Sequence, residues 1–283
     1  MGKKYFSEIV LLTRSYYPEE LQCWIQWHLD ILHFDHIVVF DNESPIDIPS
    51  IIRPYRDKIE YHYIQGWPNQ HRIYTEYSKE SQSQWMIALD DDEYLYLSSM
   101  YNHSVQTFLE YFADKYKKNM IYPLWLNMLS KDKLVHRASL YINSHTFFSY
   151  RAYWNISRHY SNGNMLGKCF INTDYEYDYI DSVTPCHHIP RCLNGDDEAV
   201  VPDGTFTKSD RVYRPGYIPD CFIAHYQFKT KEDWIRKCNN QLVSTDKSTL
   251  SNKEYLYDLL YSYNNLFRPC TLVKDLWQSY IIK

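Results

Sequence analysis

Glycine is scarce in this 283-residue chain, with seven in all. None of them forms a G-x-G-x-x-G or G-x-x-x-x-G-K-[ST] loop. That excludes a phosphate cradle of the glycine-rich kind. Positive charge is also sparse: the net charge is −5, and the basic runs do not exceed a pair such as Lys117-Lys118. The sequence therefore carries no electropositive footprint for nucleic acid. Seven cysteines, an odd number without C-x-x-C spacing, read as reduced thiols. Cys186-His187-His188 with Cys192 matches no familiar zinc module. No apolar stretch reaches the ~20 residues of a membrane span, and no leader peptide is visible. The expectation is a cytoplasmic protein, bacterial or viral rather than Golgi, with room for peripheral membrane contact near the C-terminus.

Aromatics are abundant, at 17 % of the residues with 29 Tyr and 8 Trp. Such rigid side chains with polar tips suit both packing and sugar-stacking surfaces. The strongest local signal is Trp85-Met-Ile-Ala-Leu89, followed by Asp90-Asp91-Asp92-Glu93. A short apolar run bounded by polar residues suits a buried strand of a parallel sheet. Unpaired carboxylates cannot remain in that interior, so they emerge at the strand's carboxyl end, where open α/β sheets bind ligands. Asp90 and Asp92, one residue apart, share a face if the segment is extended. Such a pair can hold a hard divalent cation beside a substrate's phosphates. A solvated acidic turn is the plainer alternative.

Strand and helix alternate ahead of the acids. Glu8–Thr13 reads as a strand, and Pro18-Glu19-Glu20 opens a helix with Pro at its first position and acids in its first turn. Leu21, Trp24, Ile25, His28, Leu29 and Leu32 line one face of that helix, with His28 read as a core histidine. Strands at 36–40 and 59–64 follow, then a helix from Gln70 capped by Asn69, then the strand at 85–89. Four such alternations predict a mostly parallel, doubly wound α/β sheet flanked by helices. Ser104 caps a further helix, 120–126 reads as a strand, and 131–184 shows little pattern. Cys221–Tyr226 reads as a last strand, and Thr230-Lys-Glu-Asp233 as a capping box. The expected organisation is a single domain over 1–240, with a nucleotide-binding half at 1–100 and an acceptor half at 101–240. Residues 241–283 form a C-terminal helical extension.

In this order the pieces resemble the GT-A glycosyltransferases, with greatest similarity to family 92 and the family 2-like group. The resemblance lies in Arg14 to Glu20 with Cys23-Trp24-Ile25-Gln26-Trp27-His28, in Val39-Phe40-Asp41-Asn42-Glu43-Ser44, in Gln70 with Trp85 to Leu95, and in His225-Tyr226 through Lys237. It covers the first hundred residues and 221–238, and departs at Trp125–Ser130. The resemblance implies an inverting, metal-dependent hexosyltransferase using a nucleotide diphospho-sugar, most often UDP-linked, with a glycan acceptor. It implies that Asp41 reads the base, with Thr13 and Arg14 nearby, and that Gln70 belongs to the donor site. Asp91 or Asp90 meets the ribose. Mn²⁺ or Mg²⁺ is held by Asp92 with Asp90, and by His225 with His187 or His188 as substitutes. Lys168 and Lys229 pair with the diphosphate. An inverting reaction also needs a base, for which Asp197 is the first candidate, in an acid loop with Asp196 and Glu198. Asp181 and Asp132 are the others. Two further readings stay open: a sugar nucleotidyltransferase, against which the lack of glycine after the first strand argues, and a non-catalytic carbohydrate-binding protein.

Overall fold

The computed structural model describes residues 2–66, 69–149, 164–179, 189–208, 212–213, 218–240, 254–262 and 267–282. It divides into two compact units. The first comprises 1–125, 166–212 and 218–223; the second comprises 126–165, 213–217 and 224–283. The chain crosses between them repeatedly, so no single linker marks a boundary in the sequence.

The first unit is α/β. Its strands β1 (Tyr5–Thr13), β2 (His36–Asp41), β3 (Ile59–Tyr63) and β4 (Ser83–Ala88) alternate with α1 (Pro18–Gln26), α2 (Ile48–Ile52) and α3 (Gln70–Glu80). β2 pairs parallel with β1 on one side and with β3 on the other, while β4 returns to pair parallel with the opposite edge of β1. The order of connection therefore reverses between β1 and β4, which is the topological switch point of an open sheet. Consecutive residues Ile9–Leu11, Ile37–Val39 and Met86–Ile87 have no exposed surface beyond rounding. Both faces of these strands are therefore covered, as their unbroken apolar runs predict.

Beyond β4 the sheet departs from all-parallel pairing. Phe170–Asn172 runs antiparallel to β4 and, on its far side, antiparallel to β6 (Met120–Ile121). Ala199–Val200 pairs parallel with β6 and antiparallel with Phe206–Thr207 at the edge. The strand expected over 120–126 is two shorter ones, Met120–Ile121 and Trp125–Leu129. Pro123 lies between them and has no N–H to offer a ladder.

Directly after the acids comes β5 (Glu93–Leu97), all of it buried. It is held by the helix that follows β1. Trp24 Nε1 donates to Glu93 O at 2.8 Å and Trp27 Nε1 to Leu95 O at 2.7 Å. His28 contacts Trp24 O at 2.8 Å through Nδ1, and its Nε2 accepts from Leu95 N at 3.4 Å. With both ring nitrogens engaged, His28 is the core histidine its helical face indicates. The helix does not run on regularly to Leu32: Trp27–Ile31 is a π turn, with Leu32 N bonded to Trp27 O at 3.1 Å. Capping follows expectation, with Asn69 accepting from Arg72 N at 3.1 Å and Ser104 from Thr107 N at 3.4 Å at the start of α4 (Val105–Tyr116).

In the second unit, Asn127–Leu129 pairs antiparallel with Phe147–Ser149, which pairs antiparallel with Arg268–Pro269. Its core gathers Leu129, Phe228, Trp234, Tyr257, Leu260, Tyr261 and Phe267. Thr230 caps the helix Lys231–Asn240 by accepting from Asp233 N at 3.1 Å. No helix among the described residues is long and apolar enough to cross a membrane.

Candidate functional site

The acids stand at the carboxyl end of β4, on the switch point. They are not extended. Glu93 N bonds to Asp90 O at 3.0 Å and Asp90 N donates to Glu93 Oε2 at 3.0 Å, closing a turn. The alternation of an extended segment therefore does not govern where Asp90 and Asp92 face. Each acid instead acquires its own set of partners.

Asp91 turns back across the switch point. Its Oδ2 accepts the Thr13 hydroxyl at 2.9 Å and also the Ser15 hydroxyl. The ladder brings the two segments together, since Val10 pairs with Ala88 and Leu89 N bonds to Val10 O at 3.1 Å. Asp90 is met by Lys168 and Gln70. Lys168 Nζ donates to Oδ2 at 3.1 Å, and Gln70 Nε2 approaches Oδ1 at 3.4 Å while also meeting the Tyr74 hydroxyl at 2.8 Å. Lys168 reaches Glu93 Oε2 as well, at 3.4 Å. The side chains of Lys168 and Glu93 are fully buried, whereas that of Asp90 keeps 31 % of its surface. Asp92 is buried.

Electrostatics follows from this arrangement. Burial pushes the Glu93 carboxyl well above the usual carboxylate range, Lys168 opposes that shift, and the neighbouring Asp90 and Asp92 add to it. Burial pulls Lys168 downward, but Asp90 and Glu93 outweigh it and the ammonium is held more firmly than usual. Glu93 Oε1 has no hydrogen-bond partner. Removing one member of such a buried ion pair typically costs about 3–5 kcal/mol. His71, next to Gln70 on α3, is lowered by burial and then by Lys168, so its imidazole favours the neutral form.

Lys168 reaches this place because Gly167 lies flush against the chain at 123–124. A Cβ on Gly167 would stand 2.0 Å from Pro123 O and 3.0 Å from Leu124 Cα. Trp125 N bonds to Leu166 O at 2.6 Å, Lys168 N to Pro123 O at 3.2 Å, and the Lys168 ammonium lies 5.8 Å from the Trp125 ring centroid.

At the neighbouring end of β2, Asp41 is buried and committed. Its Oδ1 accepts from Ser44 N at 2.9 Å and its Oδ2 accepts the Tyr61 hydroxyl at 2.8 Å. Burial first, and then Asp41, pushes that phenol up to about 12. Arg14 spans to Asn42 O at 2.8 Å and to Glu43 at 3.0 Å. Thr13, Arg14, Asp41, Gln70, Asp90, Asp91 and Lys168 thus all lie along one edge of the first unit. Lys168 is the exception in kind, because it lies beneath the acids and presents no surface. His225 and Lys229 belong to the second unit, where His225 is buried and the Lys229 ammonium lies 5.2 Å from the Tyr141 ring centroid.

The structure does not bring Asp196 and Asp197 to the acids. Asp197 accepts from Cys192 N at 3.1 Å, and Cys192 Sγ meets Asn119, which precedes β6. Asn119 O in turn accepts from Asn172 N, and Asn172 pairs with Trp85, in the first half of β4. The loop therefore sits at the amino end of the sheet, roughly 17 Å along the strand from Asp90. Asp196 pairs with Lys118, and that hydrogen bond lowers its carboxyl below the usual range, the wrong direction for a base near neutral pH. Glu198 shares the same lysine at 2.9 Å. Asp132 lies in the second unit, where its carbonyl accepts the Ser130 hydroxyl at 2.6 Å. Asp181, His187 and His188 lie outside the described residues.

As donors, the carboxylate oxygens of Asp90 and Asp92 suit a hard cation such as Mn²⁺ or Mg²⁺, and the Asp90 side chain keeps 31 % of its surface. No group of three or more His, Cys, Asp or Glu among the described residues is arranged to hold a metal.

No protein-family model matches the chain, and no curated protein matches it. Solved structures do. S. aureus TarS, residues 1–349, in complex with UDP is 14 % identical over 59 % of this chain and 47 % of that one, with a TM-score of 0.33. The same TarS segment without a named ligand is 12 % identical over 91 % and 72 %, with a TM-score of 0.37. The 4-diphosphocytidyl-2C-methyl-D-erythritolsynthase from Anaerococcus prevotii is 13 % identical over 60 % and 71 %, with a TM-score of 0.33. The chain spans about half the length of the first of these.

Proposed function

We propose that this protein is a GT-A glycosyltransferase that moves a hexose from a nucleoside diphospho-sugar, UDP-linked, to a glycan acceptor with inversion at the anomeric carbon. The observation that carries the reading is the braced acid turn at the β1/β4 switch point, with Asp91 tied to Thr13 and Ser15 across the crevice. Ligands of open α/β sheets bind at this position, and the residues gathered there are those of the resemblance.

In this reading the end of β2, with Asn42 and Arg14, faces the nucleoside, and Asp90 and Asp92 face the diphosphate through Mn²⁺ or Mg²⁺. When bound, that cation would supply a Lewis acid that steadies charge on the departing diphosphate. The chain's own part is to hold the carboxylates in place in advance, so that no reorganisation is needed as charge develops. The acceptor oxygen forms its bond to the anomeric carbon as the bond from that carbon to the phosphate oxygen breaks. The electron pair leaves with the nucleoside diphosphate, and the acceptor's proton passes to a base.

Calorimetric titration of UDP into the protein, with Mn²⁺ and then with EDTA, tests this. Metal-dependent binding that disappears in Asp92→Ala is expected. Absence of UDP binding in the wild type refutes the reading. Pyrophosphate release from a nucleoside triphosphate and a sugar phosphate would move it to nucleotidyl transfer.

A further inference from the structure

We propose that Lys168 is a positioning residue for the donor site: an internal cation that fixes Asp90 in its ligand-facing pose while never touching the ligand. This rests on the nucleotide-sugar reading above and changes the part that the lysine plays in it. A lysine that pairs with a diphosphate must present its ammonium to solvent. The Lys168 side chain has no exposed surface, and its charge is directed into the protein, onto Asp90 Oδ2 at 3.1 Å and Glu93 Oε2 at 3.4 Å.

The geometry around it is that of a clamp. Asp90 is gripped at Oδ2 by the ammonium and approached at Oδ1 by Gln70, and its backbone N–H is taken by Glu93 Oε2. Two contacts thus hold the carboxylate and a third holds the backbone that carries it, while the side chain keeps 31 % of its surface for a ligand to meet. Glu93 completes the arrangement from below, since the carboxylate oxygen that receives the Asp90 N–H also receives the ammonium. Lys168 itself is set by the Gly167 close approach and by the Trp125 ring. A carboxylate on a flexible turn would sample several rotamers, and every ligand bound would have to select one. Held at both oxygens, Asp90 is pre-ordered, and that is how a supporting shell normally raises the affinity of the residues it holds.

A purely structural alternative exists: Lys168 could serve only to neutralise buried Glu93. The two roles separate in a double variant. UDP is titrated calorimetrically in the presence of MnCl₂ into the wild type, Lys168→Met, Lys168→Met/Glu93→Gln and Lys168→Arg, and thermal unfolding is followed for each. The expected result is that Lys168→Met loses stability and that adding Glu93→Gln restores the unfolding temperature. UDP affinity in the double variant stays at least tenfold below wild type, because Asp90 has lost its clamp. Wild-type affinity in the double variant, or in a folded Lys168→Met, overturns the positioning role and leaves the nucleotide reading intact. Absence of UDP binding in the wild type overturns both. Should the methionine variants not fold, Lys168→Arg decides. Its longer, planar head keeps the charge but displaces Asp90, so a tenfold loss is expected and unchanged affinity overturns the proposal.

Discussion

His28 gives the fold a measurable acid sensitivity. Its imidazole is fully buried, and burial lowers it from 6.5 to about 3, against the opposing effect of the Trp24 carbonyl. The folded value lies below the unfolded one, so the unfolded chain takes up the proton first. The stability that neutral His28 provides is therefore complete above about pH 6.5 and is lost as pH falls toward 3. At pH 5 linkage gives a loss of about 2 kcal/mol from this residue alone. The assay is urea unfolding of the wild type and of His28→Gln at pH 7.5 and pH 5. Glutamine can reproduce part of the contact to Trp24 O or Leu95 N but does not titrate. The variant is expected to be less stable at pH 7.5, by about 1–2 kcal/mol for one imperfectly replaced buried hydrogen bond. Its further loss on moving to pH 5 is expected to be about 2 kcal/mol smaller than that of the wild type. Equal losses in the two proteins would refute the reasoning, since all other titrating groups are common to both.

Three other perturbations test separate parts of the structure. Gly167→Ala places a methyl 2.0 Å from Pro123 O. A backbone neighbour cannot step aside as a side chain can, so about 3 kcal/mol or more of stability is expected to be lost in denaturant titration, together with weakened UDP binding. Asp196→Asn and Asp197→Asn alter the loop at the amino end of the sheet, and UDP affinity by calorimetry is expected to match wild type. A tenfold change would place that loop at the ligand after all. Trp24→Phe keeps the ring packing but removes the 2.8 Å bond to Glu93 O, with an expected loss of about 1 kcal/mol or somewhat more in urea.

Much of the first unit was legible because its signals are local. β1, β2 and β4 each carry a run of apolar residues, β3 alternates Glu60 and His62 with Ile59, Tyr61 and Tyr63, and Pro18, Asn69 and Ser104 mark helix starts through chemistry confined to one turn. Solvation accounts for the surface that Asp90 and Asp91 keep at the end of β4, whereas Asp92 and Glu93 are buried, Glu93 against the distant Lys168. Other features depend on distant partners. Phe170–Asn172 and Ala199–Val200 are three and two residues long, too short for any period to register, so the antiparallel insertion beside β4 left no trace. β5 is buried on every residue, and its Glu93-Tyr-Leu-Tyr-Leu sequence directly continues the acid run, with no break to mark a new strand. The buried role of Lys168 has no local sign, because the acids near it in sequence, Asp174, Glu176 and Asp178, are not the ones it pairs with. Its partners lie 78 and 75 positions away, and the pairing of Phe170–Asn172 with β4 together with the Gly167 approach brings them to it. The acid loop at 196–198 was misjudged for the same reason: which end of the sheet it occupies is decided by the parallel pairing of Val200 with Ile121.

The strand Phe170–Asn172 has a consequence for the order of synthesis. It occupies the edge of β4 that β1 does not cover. While the chain is being made, β1 to β4 can assemble as soon as the first ninety residues have emerged, because their contacts are successive. The outer edge of β4 then waits, unpaired, for some eighty further residues, and the acid turn waits as long for its lysine. During that interval the nascent protein presents an open apolar strand edge, the kind of surface that invites pairing with another chain. Arrival of residues 166–172 closes the edge and supplies the turn with its cation in a single event, so the donor site and the sheet that carries it mature together.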